Sequence, residues 1–129
     1  MKKLTVCLTM LMLLAASAGF CQETPVQKLT SQFLKVIESK SEAVGRKFIE
    51  ENYADIFLKK VPMSIHIKVL NDLQAEFYKY TIISKSFTDT RATLVINSLI
   101  TSRKKQLTLE TEPHNPQKIF IIDIKDING

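Results

Sequence analysis

The feature that most limits what this chain can fold into is a single change of hydrophobic period near residue 77. Before it, apolar residues recur every three or four positions, as on one side of a helix. After it, apolar residues recur at every second position, as on one face of a strand. Helices first and strands afterwards is typical of the α+β class, in which helices pack on one face of an antiparallel sheet.

Capping signals and apolar spacing predict three helices before that change. Thr24 is suited to cap the first helix and Pro25 to its first position, where the missing N–H costs nothing. Ser39 followed by Glu42 has the spacing of a capping box, which predicts the start of a second helix. Pro62 predicts the start of a third helix. The positions expected to face the core are Val26, Leu29, Phe33, Val36 and Ile37 in the first helix, Val44, Phe48, Ile49 and Tyr53 in the second, and Ile65, Val69, Leu70 and Leu73 in the third.

Four segments after the change have the alternating, β-branched composition of strands. They are residues 77–87, 91–100, 104–112 and 118–127. Short polar connections between the first three predict hairpins, and the stretch 112–116, with its two prolines, predicts a stiffer loop before the last. The prediction is therefore three helices packed on a four-stranded antiparallel meander.

The first 21 residues have the layout of a secretory signal peptide. Lys2 and Lys3 give a positive start, residues 4–16 are mostly apolar, and Ala16-Ser17-Ala18 supplies small residues for cleavage. The apolar run is too short for a stable transmembrane anchor. We therefore expect an exported protein, periplasmic or secreted, in which residues 22–129 form a single α+β domain with no integral membrane segment after cleavage.

The two cysteines, Cys7 and Cys21, lie within or at the edge of this leader. No disulfide is therefore expected inside the mature domain, although export would permit one. Lipidation of Cys21 is less expected than release, because bacterial lipoproteins place a small residue before the modified cysteine and Phe20 is bulky.

The charge of the mature chain is too small and too scattered for nucleic-acid binding. Of the 18 basic residues, Lys2 and Lys3 belong to the leader, and the other 16 face 13 acidic residues, a net charge of about +3. The longest basic run is Arg103-Lys104-Lys105, which falls at a predicted hairpin tip. Binding through the release of counterions needs a concentrated basic patch. We therefore expect no nucleic-acid partner.

Two of the predicted strands are apolar on both faces. Leu94, Val95 and Ile96 are consecutive in the second strand, and residues 119–122 are apolar in the fourth. The rows Leu94/Ile96 and Val95/Leu99 cannot both face the helices, so something must cover the other row. The cover is the wrap of the sheet itself or a central position of the fourth strand, or a partner chain such as a second copy, or a small apolar ligand.

Two tyrosines add to this surface. Tyr78 and Tyr80 share one face of the first predicted strand. They are either core aromatics or, together with Leu94 and Ile96, the face that contacts a ligand or partner.

Nearly the whole mature chain, about residues 30–127, resembles a known domain. The segments Phe48-Ile-Glu-Glu-Asn-Tyr53 and Ala-Asp-Ile-Phe-Leu, followed by Val61-Pro62, and later Leu107-Thr-Leu-Glu-Thr-Glu-Pro113-His114 with Lys118-Ile119, carry the resemblance. They are similar to a small domain that precedes penicillin-recognising serine hydrolases and tail-specific-protease-like enzymes in exported bacterial proteins. That domain belongs to the nuclear transport factor 2-like, or cystatin-like, class, so the resemblance implies a curved sheet around a long helix. The resemblance carries no catalytic motif, so it implies no hydrolase activity for this chain.

Few residues are candidates for chemistry. His66 and His114 are the two histidines, and no His-Glu-x-x-His, Cys-x-x-Cys or calcium-loop pattern occurs, so no metal site or cofactor is expected. Enzymes of the resembled class place a histidine or aspartate base in a cone-shaped cavity. The candidates here are His66 on the third helix and Asp123, which interrupts an apolar strand. The alternative is that both are ordinary structural residues.

These observations favour an exported, non-catalytic binding or interaction module, a standalone version of the hydrolase-associated domain. The alternative is a small cone-cavity enzyme, an isomerase, dehydratase or lyase that acts on an apolar ligand. An enzyme of that kind needs an enclosed pocket with a convergent carboxylate or histidine.

Overall fold

The computed structural model describes residues 23–127, so the predicted signal peptide lies outside the described residues. The chain folds as an α+β protein whose helices all precede its sheet. The elements are α1 (Pro25–Ser39), α2 (Glu42–Asn52), α3 (Asp55–Lys60), α4 (Met63–Phe77), β1 (Tyr80–Phe87), β2 (Arg91–Ser98), β3 (Lys104–Glu112) and β4 (Asn115–Ile127).

The helical half differs from the prediction in one element, one cap and two expected core positions, because Val44 and Ile65 are 44% and 47% exposed. The described residues contain four helices instead of three, because the six-residue helix α3 lies between the expected second and third. Thr24 caps α1 as predicted and forms a reciprocal capping box with Gln27. The cap of α2 is Ser41, whose side chain accepts from the backbone N–H of Val44. Ser39, the predicted cap, is instead the last residue of α1.

The strand half is the predicted antiparallel meander, with spatial order β1-β2-β3-β4. β1 begins at Tyr80, later than predicted, because Phe77 is still helical. β4 begins at Asn115, earlier than predicted, because Pro113 and His114 alone form the turn between β3 and β4. A proline inside a strand is tolerated where the strand lies at a sheet edge, and β4 is an edge strand.

The register of the sheet decides which apolar row faces the helices. Leu94 pairs with Leu107, and directly paired side chains lie on the same face. Leu94 is 1% exposed and Ile96 is fully buried, so this row belongs to the core. Val95 lies on the opposite, outer face and is half-buried, and Leu99 lies in the turn that follows β2. The core side chains that are fully or almost fully buried include Val26, Phe33, Ile37, Ile49, Leu70, Leu73, Phe77, Leu107, Leu109 and Ile119.

The outer face of the sheet is mostly polar instead of apolar. Thr93, Thr108 and Asp123 form one cross-strand row on this face, and Arg91 pairs with Glu110 in the next. Ile121, opposite Glu110, is the large exposed apolar side chain here. The expectation that a partner or ligand must cover an apolar outer face is therefore not needed to explain this part of the sheet.

The two edges of the sheet differ in how far other parts of the chain cover them. The edge of β4 is partly covered, because the backbone N–H of Ala54 donates to the carbonyl of Ile119 at 2.7 Å and Tyr53 forms a parallel bridge to the same residue. β1 pairs with β2 on one side only. Ile82 faces the helix side of the sheet, as does its partner Ile96, yet Ile82 remains 42% exposed. The helices therefore cover β2 to β4 more fully than β1, whose ends, Tyr80 and Phe87, pack against the core while its middle stays exposed.

The helices themselves are short. Among residues 23–127, none combines the length and the hydrophobicity needed to cross a membrane.

Candidate functional site

The two predicted catalytic candidates lie in different parts of the molecule. Asp123 is on the outer face of the sheet, half-exposed, with the Lys125 ammonium 3.7 Å from its carboxylate. His66 is in α4 and is only 4% exposed, on the helix side of the sheet. The fold therefore does not bring the imidazole and the carboxylate together as an acid–base pair.

His66 is instead the centre of an aromatic cluster. Its ring meets the edge of Phe57 with centroids 4.5 Å apart and that of Tyr53 with centroids 5.0 Å apart. Its Nε2 lies 3.4 Å from the carbonyl oxygen of Phe57, which ties α4 to the short helix α3. Burial lowers the pKa of His66 below its usual 6.5, and backbone contacts with Phe57 and Val61 offset this only in part. The neutral ring is the form that this packing favours.

This environment makes stability depend on pH. Because the folded state disfavours the imidazolium, the unfolded chain binds more protons as the pH falls below about 6.5, and the free energy of unfolding decreases there. Above that range the His66 contribution is fully present. We expect urea unfolding between pH 5 and 8 to show a steeper loss on acidification for the native chain than for His66→Gln. His114→Gln, in the exposed β3–β4 turn, is the matched control and should keep the native slope. An unchanged slope in His66→Gln would show that the buried imidazole does not titrate with unfolding.

A serine–lysine spacing also occurs, but in the wrong local structure for a nucleophile. Ser102 and Lys105 are three residues apart across the β2–β3 turn, where Ser102 has φ of 64°. On a helix this spacing would place both side chains on one face. Here Lys105 is in β3 and its ammonium pairs with Asp126 at 3.3 Å. The arrangement anchors a hairpin and does not activate a hydroxyl.

The four residues predicted for a ligand or partner face separate into two pairs. Leu94 and Ile96 are in the core and are not accessible. Tyr78 and Tyr80 are half-buried and line a groove between the end of α1 and strand β1. The groove has a volume of about 550 Å³, and we call it the β1 groove; its lining residues are Glu38, Tyr78, Lys79, Tyr80, Thr81, Ile82 and Leu99.

The floor and the rim of the β1 groove have distinct chemistry. The Tyr80 hydroxyl donates to Glu38 at 3.2 Å, and burial, with the adjacent carboxylate, raises the pKa of Tyr80 to about 12. The Lys40 ammonium lies 4.1 Å from the centre of the Tyr78 ring, a cation–π contact. Ile82 and Leu99 present apolar side chains, the latter 58% exposed. The groove thus offers an apolar, aromatic surface with fixed charges beside it.

Within the described ranges, no three His, Cys, Asp or Glu side chains converge in a way that could hold a metal ion. Compared with known proteins, the chain matches no protein family, no curated protein and no solved structure.

Proposed function

We propose that this protein is an exported, non-catalytic interaction module that binds an apolar group of a partner in the β1 groove. The observation that carries the proposal is the juxtaposition of Tyr78, Tyr80, Ile82 and Leu99 beside a strand edge that the helices leave open.

The clustering of exposed apolar side chains supports this site. Single exposed leucines or isoleucines are normal on soluble proteins. Of the eight large apolar side chains that are well exposed in the described residues, however, four belong to β1 and the adjoining turn. They are Ile82, Ile83, Leu99 and Ile100. Two of them, Ile82 and Leu99, line the β1 groove, and apolar surface rimmed by polar groups marks interaction sites.

Export is proposed from the first 21 residues, whose positive start, apolar run and small residues are those of a signal peptide. The resemblance to the domain that precedes exported serine hydrolases supports the same compartment. It also supports a nuclear transport factor 2-like or cystatin-like relationship for the α+β fold, in a binding role.

The cone-cavity enzyme remains an alternative without a specific supporting observation. His66 is enclosed by Tyr53 and Phe57, and Asp123 is on the outer face of the sheet. The proposal for a binding role therefore does not use either residue.

An apolar fluorescent probe tests the groove directly. Anilinonaphthalene sulfonate carries an aromatic body and one negative charge, which suit the tyrosines and the lysines at the rim. We expect its fluorescence to rise with the native protein and to fall by more than half in Ile82→Ser and Leu99→Ser, because these changes remove apolar surface from the groove. Ile65→Ser is the matched control, since Ile65 is 47% exposed in α4, outside the groove lining. An equal loss in Ile65→Ser, or no loss in the groove variants, would contradict the proposal.

A further inference from the structure

The backbone of β1 has a row of unused hydrogen-bonding groups, and the hairpin fixes which residues carry them. Thr88 donates its N–H to the carbonyl of Arg91 at the start of the β1–β2 ladder. In an antiparallel ladder, bonded and non-bonded pairs alternate. Ser86 and Ser84 therefore bond to β2, whereas Lys85 and Phe87 direct their N–H and C=O groups to the free edge.

This edge carries positive charge and no carboxylate. The segment from residue 79 to residue 87 contains Lys79 and Lys85 and no acidic residue. Both lysines are exposed, and neither takes part in an ion pair in the part of the chain that the structure describes. The nearest carboxylate in the groove, Glu38, is engaged by the Tyr80 hydroxyl. The unbalanced charge favours an anionic partner.

The same edge disfavours a second copy of the chain. A register shift between Ile82 and Ser84 marks a β-bulge, and Lys85 follows it directly. Bulges and edge lysines are the devices by which proteins prevent edge-to-edge pairing with themselves. Two antiparallel copies of β1 would also bring two Lys85 ammonium groups toward each other, and like charges across strands are destabilising.

An extended acidic peptide meets all these conditions. We infer that β1 accepts such a peptide as a fifth strand, with backbone hydrogen bonds at Lys85 and Phe87, a carboxylate beside Lys85 and an apolar side chain in the β1 groove. The inference rests on the proposed function and specifies its partner. Successive side chains of the added strand point to opposite faces, so every second one lies on the helix side of the sheet. Ile82 and Lys85 share that face, and side chains of the peptide can reach both.

Amide hydrogen exchange tests the strand addition on the unaltered protein. The probe is a fluorescein-labelled peptide of about ten residues, long enough to run along β1, that alternates valine with threonine and has glutamates at both ends. We expect it to slow exchange at the amides of Lys85 and Phe87, which are free in the absence of peptide. The amides of Ser84 and Ser86 are already bonded to β2 and should change little.

Fluorescence anisotropy of the labelled peptide, measured with three protein variants, separates the contribution of the Lys85 charge from that of the Lys85 backbone N–H. Lys85→Gln removes the charge and should weaken binding about twofold to fivefold. Lys85→Pro also removes the edge N–H and should weaken it at least about tenfold, without loss of a β2 bond. Lys28→Gln is the matched control, since Lys28 is exposed on α1 and makes no ion pair among the described residues, and it should bind as the native chain does.

Several outcomes would overturn the inference. Equal binding of a peptide with lysines at both ends would show that the partner need not be acidic. Unchanged amide exchange at Lys85 and Phe87 would show that the peptide does not add as a strand. If Leu99→Ser still weakens peptide binding in that case, the groove function stands without the added strand. Binding of vesicles of phosphatidylserine and phosphatidylcholine in place of the peptide would assign the edge to a membrane surface. Protection of the β1 amides at high protein concentration without peptide would assign it to a second copy.

Discussion

Replacement of Leu94 by alanine is expected to lower the free energy of unfolding by about 2–5 kcal/mol, the usual cost of a cavity in a packed core. Leu94 is 1% exposed and pairs with Leu107, itself fully buried, across the central strands of the sheet. The helices on one side and Leu107 on the other leave little room for the core to collapse into the space. Urea unfolding monitored by circular dichroism measures the effect.

Val95 provides the matched control, because it is the next residue on the same strand and points to the outer face. Val95→Ala should cost less than about 1.5 kcal/mol, since its side chain is only half-buried and no helix covers it. A similar cost for the two substitutions would show that the outer face is covered too, by a partner or a second copy. Light scattering at micromolar concentrations would then identify which.

Replacement of Gln74 by leucine is expected to destabilise the protein by about 1–3 kcal/mol. The Gln74 side chain is 4% exposed, and its Nε2 donates to the carbonyls of Val36 at 3.0 Å and Ser41 at 2.9 Å. These carbonyls lie at the end of α1 and at the cap of α2, so one amide joins three helices. Leucine fills the volume but leaves both oxygens with one partner fewer.

Asn71→Leu is the control for this effect, because it is an amide three residues earlier on the same helix. The Asn71 amide donates to Glu42 at 3.4 Å near the surface, where water replaces the bond. We expect a change within about 0.5 kcal/mol. Thermal unfolding of both variants compares the two effects. Equal melting temperatures would show that the buried amide contributes no more to stability than the exposed one.

The main elements of the fold could be predicted because their apolar periods are clear. All five predicted stripe positions of α1 are buried, and β3 has the predicted bounds. The helix α3 was missed because six residues are too few to show a period, and its cap, Ala54, has no side-chain hydrogen bond. The choice between Ser39 and Ser41 depends on Lys40, whose left-handed φ of 57° ends α1.

The candidate site could be predicted only in part. Tyr78 and Tyr80 do lie at a groove, but Leu94 and Val95 are equally apolar in sequence, and only the register shows which one faces the helices. The contact between Glu38 and Tyr80 joins residues 42 positions apart and leaves no local pattern. The shift between Ile82 and Ser84 likewise depends on the pairing of two strands.

The meander topology has a consequence for how this chain reaches its native state. Every strand pairs with its neighbour in sequence, so each hairpin closes a short loop at low entropic cost. The hydrogen bond between Ala54 and Ile119 instead joins residues that are far apart in the sequence, so its formation must close a long loop. Contacts of large sequence separation are the slow ones in folding. During synthesis the helices emerge first and can pack on one another, but the bond that ties Ala54 to Ile119 forms only after β4 has been made, so the helical half and the sheet join late.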